Sequence, residues 1–166
     1  MIVSRSPYRI TLGGGGTDLP SFYQKHGGFC VTMAIDKYMY LTLKRDELEN
    51  MCKLRYSEIE NVICPTSLKH TRAREVLSSY RLGSVEINTS GDLPANTGMG
   101  SSGTFLVGLI KTVREHLRLE NTPRTVAEEA CDIEINRLKE PVGKQDQYIS
   151  AFGGIQALDI AKDGNV

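Results

Sequence analysis

Gly98-Met99-Gly100-Ser101-Ser102-Gly103 stands directly ahead of a long apolar-periodic run, and this junction constrains the chain more than any other stretch. Closely spaced glycines disfavour a strand or a continuing helix, so the chain must turn here and start a helix afterwards. Such a turn lets backbone N–H groups converge on an anion, with the positive end of the helix dipole behind them. Phosphate binding is the first chemical expectation. A bland alternative stays open, in which the glycines only cap the helix. The letters also satisfy G-x-G-x-x-G, but a dinucleotide loop follows its strand at once and leads to an acidic residue ending the next strand. Here the strand-like run Ser84–Thr89 is separated from the glycines by Ser90–Thr97, and Glu120 falls in a turn followed by a helix. A Walker A loop is excluded because no Lys follows the last glycine.

Composition narrows the partners. A chain of 166 residues suits one domain with a real core. Its 20 basic and 20 acidic residues cancel, which argues against nucleic acid or an anionic membrane as partner. No apolar run approaches a membrane span, and Met1–Arg5 lacks the layout of a signal peptide. Cys30, Cys52, Cys64 and Cys131 show no metal-ligand spacing and are expected as reduced, partly core thiols in a cytoplasmic protein.

The order of elements predicts an α+β fold in two layers, a sheet covered by helices. Tyr8–Leu12 alternates like a strand and runs into Gly13–Gly16. Thr17 and Asp18 are N-cap candidates for a short helix that has Pro20 in its first turn and ends near His26. Phe29–Ile35 and Tyr38–Lys44 are expected to form a hairpin about Asp36-Lys37. Residues 46–70 offer little beyond a short strand at Lys53–Tyr56. Arg72–Leu82 is expected as a helix stopped by Gly83. Ser102–Leu119 carries the clearest helical stripe, Phe105, Leu106, Leu109, Ile110, Val113 and Leu117. Thr122-Pro123 opens another helix to about Leu138, and Gly153-Gly154 precedes a last strand, Ile155–Ile160.

Two carboxylates fit their surroundings poorly. At helical spacing Glu134 falls within about 60° of Ala127, Ala130, Cys131 and Leu138, on an apolar arc where an unpaired charge is costly. It needs either a structural Arg or Lys, or a bound cation. Asp146 follows Pro141-Val142-Gly143-Lys144-Gln145 at the mouth of a short helix. It is placed either to cap that helix or to accept a proton from an alcohol.

These pieces occur in a recognisable order: Ser6-Pro7-Tyr8-Arg9, Gly14-Gly15-Gly16-Thr17-Asp18, Leu93-Pro94-Ala95-Asn96-Thr97-Gly98-Met99-Gly100-Ser101-Ser102, Glu134, and Gly143-Lys144-Gln145-Asp146-Gln147. The set resembles the N-terminal domain of the galactokinase, homoserine kinase, mevalonate kinase and phosphomevalonate kinase (GHMP) superfamily. Its glycine run and Gln-Asp-Gln-Tyr look most like the bacterial sugar kinases that include heptose 7-phosphate kinases.

The resemblance implies roles. Gly98, Met99, Gly100, Ser101, Ser102 and Gly103 would wrap the phosphates of ATP. Ser102 and Glu134 match the family's Mg²⁺ ligands, Asp146 matches its catalytic Asp, and Arg9 its basic residue at the reacting centre. Thr17 and Asp18 match its sugar contacts. The implied reaction is ATP-dependent phosphorylation of a sugar phosphate, with the anomeric hydroxyl of D-glycero-D-manno-heptose 7-phosphate preferred. Another sugar 1-kinase (fucose-like) and a non-catalytic nucleotide-binding fragment are the alternatives. Loss of Asp146, Ser102 or Glu134 would mark the latter, and all are present.

Departures are few. The family's more usual Leu and Ala in the loop are Met99 and Gly103 here. Gly15-Gly16 replaces the Glu-His of galactokinases and mevalonate kinases, which points away from galactose or mevalonate. Family members carry a second domain with a further Gly-rich motif. Residues 1–166 are therefore expected to be the N-terminal, ATP-binding domain with the C-terminal domain absent, weakly active or inactive alone and prone to self-associate. Lys144 is expected as a solvated loop lysine rather than a phosphate contact.

Overall fold

The computed structural model describes residues 1–94 and 97–166, so Ala95 and Asn96 of the Leu93–Ser102 motif lie outside the described residues. Strands β1 (Ile2–Gly13), β2 (Gly28–Arg45), β3 (Cys52–Arg55), β4 (Ile59–Val62), β5 (Val85–Gly91) and β6 (Ile155–Ile160) form one sheet. Helices α1 (Pro20–His26), α2 (Thr71–Ser79), α3 (Ser101–His116), α4 (Pro123–Cys131) and α5 (Gln145–Phe152) complete an α+β domain of sheet and helices. No helix among the described residues is long and apolar enough to cross a membrane.

The sheet runs β1-β2-β5-β3-β4, with β6 also on β2. Strand β2 is the correction to the expected hairpin: Asp36 and Lys37 lie inside a continuous 18-residue strand. Pro7 faces Tyr38 while Arg9 faces Ala34, so Ile35–Lys37 bulge opposite Tyr8. The two halves of β2 satisfy different neighbours, Met39–Arg45 pairing with β5 and Gly28–Met33 with β6. An exposed polar pair between two apolar runs reads the same as a turn or as a bulge. Only the distant partners decide.

Helix α3 is buried on every side from Gly103 to Ile110, which makes it the centre of the core. Leu106, Leu109 and Ile110 are fully buried, each contributing about 1.5–3 kcal/mol of burial. Gly108, which interrupts the apolar run in sequence, has a packing role. A Cβ there would come within 2.6 Å of Leu41 Cδ1, so glycine allows α3 to lie close on β2.

Other ends differ from expectation in instructive ways. Helix α2 closes before Gly83: Arg81 adopts φ 52°, its N–H donates to Ser78 O at 3.1 Å, and Leu82 N–H donates to Leu77 O at 2.9 Å. The same hydrogen-bond pattern ends α3 at Arg118 and Leu119. Strand β4 and a short 3₁₀ turn at Pro65–Ser67 occupy the segment that offered no pattern. The Thr122 cap forms as expected, its side chain accepting from Thr125 N–H. Beyond Cys131 the helix widens to π geometry over Asp132–Arg137, a local change frequent at functional sites. All four cysteines are free, with Cys64 exposed and the others buried.

Candidate active site

Arg9 gathers the site. It sits on β1 just past the bulge, and its backbone N–H donates to Met99 O at 3.3 Å. Its Nη1 donates to Gly98 O at 2.9 Å, and its Nε donates to Asp146 Oδ1 at 2.6 Å. One guanidinium thus joins the glycine loop to the first turn of α5. Gly98 and Gly100 hold φ of 74° and 78°, a backbone that side chains rarely adopt. Gly100 is the residue flanking α3, and a Cβ on it would meet Asp146 Cγ at 3.0 Å. The loop is therefore glycine for conformation and for the close approach of the carboxylate.

Asp146 does not cap α5. It lies in the helix's first turn, and Lys144 flanks the helix without a side-chain cap. The capping contact comes from Asp18, whose Oδ2 accepts from Gln145 N–H at 3.0 Å while Oδ1 accepts from Gly16 N–H at 3.2 Å. Asp18 is only 1% exposed. Thr17 Oγ1 donates to Gly14 O (2.8 Å) or Phe29 O (2.9 Å) and accepts from Phe29 N–H at 3.0 Å. Neither residue caps α1, whose flanking residue is Leu19. Both hold the glycine turn against β2 and α5. Lys144 is not solvated either: its ammonium donates to Gly164 O and lies over the Tyr23 ring.

Several residues that carried no assignment in sequence fix these parts. Thr104 Oγ1 and Ser150 Oγ are 2.9 Å apart, and Ser150 donates to Pro7 O at 3.0 Å, a buried joint between α3, α5 and β1. Lys111 on α3 donates to Ser150 O at 3.1 Å and Ala151 O at 3.2 Å near the end of α5. Burial pushes its ammonium down to about 8. Small polar residues on buried faces were the available signal, and it names no partner.

Glu134 lies in the π turn and is 1% exposed. Its Oε1 accepts from Arg72 Nε at 2.7 Å, and its Oε2 accepts from the Gln147 amide. Arg72 also pairs with Glu140. Burial pushes the Glu134 carboxyl upward, while Arg72 and Gln147 oppose that shift. The structure thus supplies the ion pair that the sequence left open. It also leaves oxygen atoms without partners among the described residues: Ser101 Oγ and Gln147 Oε1 are buried with no hydrogen bond. A carboxylate has about four acceptor positions, of which Arg72 and Gln147 occupy only some. These groups and the exposed Ser102 hydroxyl at the start of α3 are all oxygen donors, the chemistry that a hard divalent cation takes.

Beside the loop is a cavity of about 340 Å³ lined by Tyr56, His70, Arg72, Ser101, Ser102 and Phe105, among others. His70 packs edge-on to Tyr56, with ring centroids 4.8 Å apart, and lies 4.6 Å from Phe105. Its Nδ1 accepts from Ala73 N–H at 3.3 Å, capping α2. Burial, then the Arg72 charge, lower the His70 pKa below its usual 6.5. The unfolded chain therefore binds the extra proton first, and stability falls as pH drops below about 6.5 towards the folded pKa. We expect urea midpoints to decline between pH 7 and 5 in the parent and to stay flatter in His70→Asn. Equal slopes would remove His70 from this account.

A sequence profile described as the GHMP kinases N terminal domain matches residues 68–154. The D-glycero-alpha-D-manno-heptose 7-phosphate kinase of Campylobacter jejuni is 27% identical over 177 aligned positions, covering 99% of this chain and 52% of that protein. A galactokinase of Pyrococcus furiosus is 26% identical, covering 92% of this chain and 44% of that protein. The crystal structure of a D-glycero-D-manno-heptose 1-phosphate kinase from Bacteroides thetaiotaomicron superposes with a TM-score of 0.89 at 26% identity, covering 99% of this chain and 58% of that one. The chain spans about half the length of the curated relatives it matches.

Proposed function

The chain belongs to the GHMP kinases, through their N-terminal domain, and on that premise we propose that it transfers the terminal phosphoryl group of ATP to a sugar hydroxyl. The observation that carries this reading is the Arg9–Asp146 pair, 2.6 Å apart and packed directly on the phosphate-loop glycines. Phosphoryl transfer needs positioning and charge neutralisation more than covalent chemistry. The amides of the Gly98–Gly100 turn and of Ser101–Gly103 in the first turn of α3, with the α3 dipole, receive the phosphates. The aromatic-lined cavity beside Ser101 and Ser102 suits the base and ribose.

Asp146 accepts a hydrogen bond from the attacking hydroxyl and takes its proton. Arg9 holds that carboxylate in place, with its charge next to the transferring group. Ser102 and Glu134 are the residues that would hold Mg²⁺, whose chemistry is to neutralise the phosphate oxygens. Thr17 and Asp18 serve the sugar side indirectly, because their side chains are already committed to backbone partners. We place the reaction in a reducing compartment, the cytosol, in keeping with four free thiols.

The acceptor we favour is the anomeric hydroxyl of D-glycero-D-manno-heptose 7-phosphate, after the similar kinases. ADP release with Mg-ATP is the test, comparing that sugar with fucose, galactose and mevalonate. The heptose phosphate should give the highest kcat/KM, and Asp18→Ala should lower kcat with little change in sugar KM. A preference for fucose would move the acceptor. ATP binding without turnover on any sugar would leave a nucleotide-binding module.

Self-association is part of the same reading. Leu12, Phe29 and Ile155 are 56%, 56% and 65% exposed on neighbouring strands β1, β2 and β6. Exposed apolar surface of this kind favours a second copy as partner. Size-exclusion chromatography with light scattering should show a concentration-dependent dimer that Ile155→Lys weakens. A monomer at every concentration would dismiss it.

A further inference from the structure

Among the described residues, Gln147 has a side chain at this site whose chemistry is half used. It is 1% exposed and follows Asp146 in the first turn of α5. Its amide N–H₂ donates to Glu134 Oε2. Its Oε1 is buried without a hydrogen-bond partner among the described residues. The orientation is dictated by chemistry: an ionised carboxylate only accepts, so the NH₂ group must face Glu134 and the oxygen must point away from it. A buried carbonyl oxygen without a donor is costly. Native proteins rarely keep one unless a water or ligand completes it.

We propose that Gln147 is a positioning residue for the cation that accompanies ATP. Its N–H fixes the free side of Glu134, and its Oε1 accepts from a water in that cation's hydration sphere. The inference rests on the ATP and Mg²⁺ reading above and adds a residue to it. A divalent ion of this type keeps several waters when bound by few protein oxygens, and each such water is a strong hydrogen-bond donor. Gln147 also explains how two parts of the site stay in register. Asp146 and Gln147 are adjacent on one helical turn, so the residue holding Glu134 moves with the carboxylate that Arg9 holds at the loop. Outer contacts of this kind commonly change metal affinity by about 10–100-fold when removed.

The test uses Mn²⁺ as a paramagnetic stand-in, followed by electron paramagnetic resonance with ATP present. A fluorescent ATP analogue in EDTA measures nucleotide binding without metal. Gln147→Met keeps length and volume but removes both polar atoms. We expect it to bind Mn²⁺ about tenfold or more weakly in the ATP complex, with metal-free nucleotide affinity unchanged. Parent-like Mn²⁺ binding would overturn the proposal, and so would a parallel loss of both affinities, which is the mark of a merely structural residue. Should Gln147→Met not fold, Gln147→Asn is read by the same criteria, since it withdraws the amide by one methylene. If the parent chain shows no ATP-dependent Mn²⁺ signal, the nucleotide–metal reading itself fails. That result is distinct from a parent that binds and a variant that matches it.

Discussion

Asp146→Asn should lower sugar-dependent ADP release by about 10²–10⁴-fold, the usual contribution of a positioned general base. The amide is nearly isosteric but has little capacity to take the hydroxyl proton, and it no longer attracts Arg9 as a charge. Arg9 keeps its bond to Gly98 O at 2.9 Å, so the loop should retain its shape and nucleotide binding should change little. The pair is partly solvated, with side chains 15% and 24% exposed, and thermal stability should move by only a few degrees. Turnover, ATP affinity and melting temperature measured on one preparation separate these effects. Retention of more than a tenth of the parent rate would remove Asp146 from the proton-accepting role.

Arg72→Met should be the most destabilising substitution at the site, costing about 3–5 kcal/mol at neutral pH. It leaves the 1%-exposed Glu134 without its counter-ion, supported among the described residues by the Gln147 amide. Burial already pushes the Glu134 carboxyl upward, and removing Arg72 pushes it further. The folded variant then binds a proton that the unfolded chain releases, so its deficit narrows as pH falls from 7 towards 5. The double variant Arg72→Met/Glu134→Leu should recover much of the loss, because the fully buried unpaired charge is gone and Glu140, which also loses Arg72, is 24% exposed. Urea denaturation at two pH values checks both statements. A deficit below about 1 kcal/mol, or no recovery in the double variant, would mean that the pair is effectively solvated.

The contrast between these two sites bears on what could be read in advance. Asp146 and Arg9 were named from the order of motifs, but their contact joins residues 137 apart in the chain. No periodicity foretells that. Arg72 stood in the sequence only as the first residue of an expected helix. Its role appears when α2 lies against the π turn that carries Glu134, 62 residues away. The helical wheel correctly buried Glu134, although the turn it occupies is π rather than α. Asp18 reads in sequence as a cap for the helix that follows it, and the structure gives that helix Leu19 as its flanking residue. Asp18 caps the first turn of α5 instead, 127 residues on. Sequence reading finds groups that need a partner. It cannot say which strand or helix brings one.

The sequence by itself determined the glycine turn at 98–100, helix α3 with its apolar faces, the Thr122 cap and the need of Glu134 for a counter-charge, while Ser101–Gly103, expected in the turn, form the first turn of α3. Each follows from preferences exercised within a few residues: left-handed backbone for glycine, a hydroxyl for the first free N–H groups, a 3.6-residue period for burial. Only the tertiary structure decided that β2 is one strand, that Asp18 belongs to α5, that Arg72 rather than another cation meets Glu134, and that Gln147 keeps a free oxygen. Those outcomes depend on pairing between segments far apart in the chain. Local alternatives there are nearly equal in energy, and burial with hydrogen-bond satisfaction across the assembled core separates them.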